Sequence, residues 1–165
     1  MTKEPEIIAL ERALGLAPGL LALNNRFEQE LSFLSPQKAA HLVDQAFMAA
    51  RIGEAEALLL AFDQDAQYDN PNFNWFHERF DRFVYIDRVV VAPQMRGKGL
   101  AQALYRALFQ EAAAKGHCRV VCEINWEPPN PASDAFHVNL GFEQVGLAIL
   151  PGANKTVRYF SRAIV

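Results

Sequence analysis

The chain has 165 residues, of which 51% are hydrophobic and 21% charged, enough for a single domain spanning the chain and too apolar for a disordered one. A formal net charge of −3 excludes broad attraction to nucleic acid, while leaving room for a local anion site. The opening MTKEPE has no apolar leader, and the longest strongly apolar run, ALLLAF, falls far short of the ~20 residues that span a bilayer. With only two cysteines, Cys118 and Cys122, a reduced, cytoplasmic protein without a membrane partner is expected.

In chain order, Glu6 to Leu10 fits a short strand or a helix start equally. Leu16, Leu20, Leu23 and Phe27 recur at helical spacing around Pro18 and predict a helix reaching about Leu31. Ser35-Pro36 has the order of an N-cap and first helical residue, so a second helix is expected from Pro36 through HLVDQAF. Ala49 to Asp63 reads as two strands about a turn near Gly53-Glu54. The next stretch, DQDAQYDNPNFNWFHERFDRF, is polar, holds turn residues at Asp69-Asn70-Pro71, and carries Tyr68, Phe73, Trp75, Phe76 and Phe80. It reads as a loop whose rings either fold against the core or wall a ligand pocket.

The second half is more regular. FVYIDRVVV (Phe83–Val91) is β-branched and aromatic and predicts a strand. Leu100 to Ala114 predicts a helix with Leu100, Leu104 and Leu108 on one face and Gly116 after its end. Arg119 to Ile124 is a further strand. Asn130 to Asn139 reads as a short helix opened by Pro131 and closed by Gly141. Phe142–Gly146 and Thr156–Ile164 look like closing strands around a turn at Pro151-Gly152. This order describes an α/β or α+β sheet protein.

Between strand and helix lies PQMRGKG (Pro93–Gly99). A strand that enters a glycine turn and then a helix is an anion-binding arrangement, because the first helical amides lack partners and the helix dipole favours negative charge. Gly97 and Gly99 admit close approach by a phosphate, and Arg96 and Lys98 add cations. The dinucleotide pattern G-x-G-x-x-G fails for want of a third glycine. The P-loop fails because Ala92 replaces its first glycine and Gly99 follows Lys98.

Gln94-Met95-Arg96-Gly97-Lys98-Gly99 fits the Q/R-x-x-G-x-G/A signature of the GNAT superfamily of N-acetyltransferases, and YIDRVVVAPQMRGKGLAQALYRAL resembles its motif A. Downstream, NPASDAFHVNLGFEQVG resembles motif B, N-x-x-A-x-x-x-Y-x-x-x-G-F, with Asn130, Ser133 and Gly141-Phe142 in place. The resemblance implies a GNAT fold, a mixed central sheet splayed at an acyl-CoA cleft with flanking helices, and acetyl-CoA as co-substrate. It implies that backbone groups of Val89, Val90 and Val91 pair with the pantetheine arm. Amides from Met95 to Ala101, Leu100 among them, would hold the pyrophosphate, and Asn130 would contact the cofactor near its reactive end. Ala101 stands where many members have a further glycine.

Acetyl transfer needs a neutral amine, a donor to the carbonyl oxygen and a proton for the leaving thiolate. The family's proton-donating tyrosine falls on His137, which is left open as acid, base or structural residue. On the strand of motif A, Tyr85 and Asp87 are two apart and share a face by simple alternation; Asp87 either serves the chemistry or pairs with Arg88 or Arg82. Glu28, Glu30, Asn24 and Asn25 border the acceptor side in this reading. His117, Cys118 and Cys122 lack a metal-ligand pattern, so no metal is expected; His41 and His77 are isolated. The expected partner is a small-molecule or peptide amine, and a homodimer is left open. The alternative is a non-catalytic acyl-CoA-binding or regulatory domain.

Overall fold

In the computed structural model, which describes residues 3–127, 129–150, 152 and 155–164, seven strands form one sheet. They are β1 (Ile7–Ala9), β2 (Met48–Ile52), β3 (Ala57–Asp63), β4 (Val84–Val91), β5 (Arg119–Asn125), β6 (Glu143–Leu150) and β7 (Lys155–Ala163). Their order is β1-β2-β3-β4-β5-β7-β6, and every neighbouring pair is antiparallel except β4 and β5. The helices are α1 (Pro18–Arg26), α2 (Glu28–Leu31), α3 (Pro36–Gln45), α4 (Pro71–His77), α5 (Leu100–Ala114) and α6 (Pro131–Asn139).

Helices cover both faces of the sheet. Leu20, Leu42 and Phe76 from α1, α3 and α4 pack with Leu58, Leu60, Phe62 and Tyr85 on one face. Leu104, Tyr105 and Leu108 of α5, with Phe136 of α6 beside them, pack with Leu59, Ala61, Val84 and Val120 on the other. This explains the continuous apolar run of β3: a strand buried on both faces has no polar alternation to show.

The order of elements follows the sequence, with four refinements. Glu6–Leu10 resolves as a short strand, because Ile7–Ala9 ladders onto β2. The helix expected through Leu31 breaks at Phe27 (φ −113°, ψ 37°). Asn24 donates to the Ser32 carbonyl, and Asn25 exchanges two hydrogen bonds with the backbone of Leu34, drawing the chain back on itself. The aromatic segment contains a helix, α4, because Asn70 caps it by accepting from the amides of Asn72 and Phe73, with Pro71 in its first turn. β6 runs past Gly146 to Leu150. Of the turn expected at Pro151-Gly152, Pro151 lies outside the described residues, as does the opening Met1-Thr2.

The rings of the aromatic segment fold onto the core. Phe73 and Phe76 are buried, and the Trp75 ring stacks on Tyr159 with centroids 4.1 Å apart and planes 16° from parallel. Trp75 is seated against Gly146, where an added Cβ would fall 2.2 Å from the indole. Gly146→Ala is therefore expected to displace Trp75 and to destabilise the protein by about 1–3 kcal/mol, measured by urea denaturation.

Candidate active site

β4 and β5 pair only at Val84↔Val120 and Tyr85↔Val121. Beyond that point β4 stays on β3 as far as Val91, and β5 stays on β7 as far as Asn125. The two strands separate and open a cleft of about 530 Å³ that passes through the sheet. β4 carries a bulge close to the point where the strands part. Ala61 faces Ile86 and Leu60 faces Arg88, so Asp87 is an extra residue on β4 without a partner on β3. The bulge also resets the side-chain alternation, placing Arg88, opposite Leu60, on the same face as Tyr85, opposite Phe62.

Asp87 and Arg88 form an ion pair at 2.7 Å with side chains only 4% and 6% exposed. The second carboxylate oxygen of Asp87 accepts from the Tyr68 hydroxyl. Burial, then Asp87, raises the Tyr68 pKa, so its phenol stays protonated and donating. Arg88 Nη1 donates to Asn24 Oδ1 at 2.9 Å, and Asn24 is wholly buried. Both oxygens of Asp87 are thus engaged in a network tying the bulge to α1. Asn24 and Asn25 serve that network, and of the first helices' acidic residues Glu30 lines the cleft.

At one end of the cleft, a single 3-10 turn at Pro93–Met95 leads through Gly97 and Gly99, each at φ +78°, into α5. That left-handed backbone favours glycine. An added Cβ at either position would meet nothing within 4 Å, so the space over the turn is open. Ala103 is the first residue of α5 whose amide returns to the turn, on the Gly99 carbonyl, which leaves the preceding amides free. Gln94, Arg96 and Lys98 are exposed beside them.

His137, 6% exposed, lies in the cleft between Tyr105 and Ser133. Asn130 reaches the cleft too, with its Oδ1 committed to the Ser133 amide as the cap of α6. Tyr85 is buried, and burial together with the neighbouring Glu123 raises its pKa, so its phenol stays protonated.

Glu123 of β5 is the residue that sequence reasoning passed over. It lines the cleft where the strands part, and its Oε2 is closed to solvent and has no hydrogen-bond partner. Burial raises its pKa to about 7, the neighbouring Tyr85 and Asn72 temper the rise, and Asp87 adds to it. A carboxyl poised there can take a proton at neutral pH. The available signal was one acidic residue inside the apolar run RVVCEIN.

Residues 39–142 match the acetyltransferase (GNAT) family. The chain belongs to the GNAT family. Over 137 residues it is 31% identical to an L-methionine sulfoximine/L-methionine sulfone acetyltransferase of Pseudomonas paraeruginosa, covering 78% of this chain and 76% of the relative. Among solved structures, the YncA protein of Salmonella typhimurium with its cofactor acetyl-CoA superposes with a TM-score of 0.70 at 16% identity, over 99% of this chain and 95% of that one. The ribosomal-protein-S18-alanine N-acetyltransferase of Escherichia coli superposes with a TM-score of 0.65 at 16% identity, over 96% and 93%. These structures share the GNAT fold. The protein is an N-acetyltransferase that uses acetyl-CoA.

The GNAT cleft fits that co-substrate. The β5-facing backbone of β4 past Tyr85 has no strand partner, so it can ladder with an extended amide-bearing arm. The open glycine turn and the free amides of α5 suit a pyrophosphate. Among the described residues, no group of three or more metal-ligating side chains occurs, and no helix is long and apolar enough to cross a membrane.

Proposed function

We propose that this GNAT enzyme acetylates the primary amine of a small amino-acid-like acceptor by direct transfer, with Glu123 as the base. The observation that carries this reading is Glu123 itself, a carboxyl with one unpartnered oxygen at the parting of β4 and β5 and a pKa near 7. When bound, acetyl-CoA supplies an activated acetyl thioester. Val89 to Val91 would align the pantetheine arm and the Asn130 amide would face the reactive end. Arg96, Lys98 and the amides from Gly97 to Ala101 would hold the pyrophosphate, because the amides of Met95 and Arg96, also expected there, are committed to the Ala92 and Pro93 carbonyls. An amide of β4 near Val89 or Val90 donates to the carbonyl oxygen as negative charge develops on it. Glu123 accepts the proton that an arriving ammonium must lose. Tyr85 and Asn72 neighbour the Glu123 carboxyl and temper the rise of its pKa, while Tyr68 donates to Asp87 beside it. Tyr105 and His137 face the departing sulfur.

The acceptor enters past Phe27, Glu30 and Leu31, which close the cleft on the α1–α2 side. This mouth is compact and partly apolar, suiting a small amine. Arg88 lines the same cleft with Nε and Nη1 committed to Asp87 and Asn24, leaving Nη2 for an acceptor carboxylate. The relative named for L-methionine sulfoximine and L-methionine sulfone acts on amino-acid derivatives of this class. A thiol-release assay with acetyl-CoA against amino acids, amino-acid sulfones and sulfoximines, polyamines and N-terminal peptides tests the reading. It is expected to select the amino-acid derivatives, and preference for polyamines or peptides would overturn it.

A further inference from the structure

His137 occupies the position that motif B gives to a tyrosine, and its hydrogen bonds fix its protonation. Nδ1 lies 2.7 Å from the Ser133 carbonyl oxygen, which only accepts, so Nδ1 carries the hydrogen. Burial lowers the His137 pKa, with the Ser133 carbonyl and then Asp134 opposing, so the ring is neutral at pH 7. Nε2 is then a lone-pair acceptor, and it lies 2.9 Å from the Tyr105 hydroxyl. In this tautomer His137 has no hydrogen to release into the cleft, because its single N–H is committed to the backbone. The transferable hydrogen of the pair belongs to Tyr105.

We propose that Tyr105 is the catalytic residue that protonates the departing CoA sulfur, and that His137 is a positioning residue that holds the Tyr105 hydroxyl at the cleft. The inference rests on the acetyl-transfer reading above. Tyr105 lies on α5, the helix whose N-terminal amides receive the pyrophosphate, and both it and His137 line the cleft. Its ring is set edge-on to Phe136 and Phe142, with centroids 5.1 and 6.1 Å away. Burial, then Cys122 and Glu123 of β5, raises the Tyr105 pKa, so the phenol enters each turnover protonated. Tyr105 gives its hydroxyl hydrogen to sulfur as the C–S bonding pair settles there: an O–H bond breaks and an S–H bond forms. The phenolate then recovers, through water in the cleft, one hydrogen that the acceptor nitrogen sheds. One proton passes in net from nitrogen to sulfur, and His137 ends as it began.

Tyr105→Phe keeps the ring and its packing while removing only the hydroxyl. Its kcat is expected to fall on the order of 10²-fold, with CoA affinity by calorimetry unchanged. In the acetyl-CoA-free protein, ¹⁵N NMR should show His137 keeping its Nδ1 hydrogen while Nε2 shifts on losing the Tyr105 bond. His137→Gln, whose side-chain carbonyl can still accept from Tyr105, should retain most activity. His137→Phe should lose about 10-fold in kcat, at unchanged KM for acetyl-CoA. Tyr105→Phe turning over at the wild-type rate would overturn the proposal, as would a hydrogen on Nε2 or a greater loss in His137→Gln than in Tyr105→Phe. Wild-type protein inactive on every amine offered would overturn the acetyl-transfer reading as well, which separates the two failures.

Discussion

Replacing Glu123 by Gln is expected to lower kcat/KM on the order of 10²- to 10⁴-fold, the range for loss of a positioned general base. Gln is nearly isosteric, so the cleft should hold its shape. Wild-type activity should rise with pH through about 7, as Glu123 loses its proton, and this step should vanish in Glu123→Gln. The same variant carries a second expectation of opposite sign. A carboxyl whose pKa is raised from 4.5 to about 7 on folding binds its proton more tightly in the folded state than in the unfolded one. Its contribution is therefore fully present below pH 4.5 and is lost as pH rises toward 7, a cost on the order of 3 kcal/mol above neutrality. Glu123→Gln should thus be more stable than wild type at pH 8 and less active, which chemical denaturation and thiol release would together record. Stability sacrificed at one buried carboxyl is the form that functional strain takes in this cleft.

The second large effect concerns the glycine turn. Gly97 and Gly99 both sit at φ +78°, and no packed atom would meet a Cβ at either. In Gly97→Val with Gly99→Val, the turn can relieve its strain by rotating toward negative φ without disturbing the core. Such a rotation redirects the amides that face the pyrophosphate. CoA affinity by calorimetry is expected to fall more than about 100-fold, equivalent to roughly 3 kcal/mol, while circular dichroism shows the fold retained. A folded double variant with wild-type affinity would contradict the cofactor assignment.

The legible and illegible parts of this protein separate by the range of the interaction that decides them. The glycine turn, β4 and α5 are local: their residue types and spacing carry the backbone geometry, and the family match over residues 39–142 agrees with that reading. The bulge at Asp87 depends on register with β3, which no stretch of β4 encodes alone, so simple alternation puts Arg88 on the wrong face. α4 was hidden because Asn70-Pro71 suits a turn and a helix start equally; the choice falls to Phe73 and Phe76, which the core buries. Glu123 sits in a run read for its strand-forming residues, where a lone carboxylate is a stronger signal than the valines around it. The spacing of motif B leads to His137, but not to Tyr105, the partner of its Nε2, which lies 32 residues earlier in the chain.

The most direct test of the central claim is the titration of Glu123 itself, followed by the ¹³C shift of its side-chain carboxyl in the free enzyme, with Glu123→Gln used to assign the signal. A midpoint near pH 7, matching the rise of kcat/KM, is the predicted result. A midpoint near the ordinary value of 4.5, or activity that rises with pH unchanged in Glu123→Gln, would contradict its role as the base.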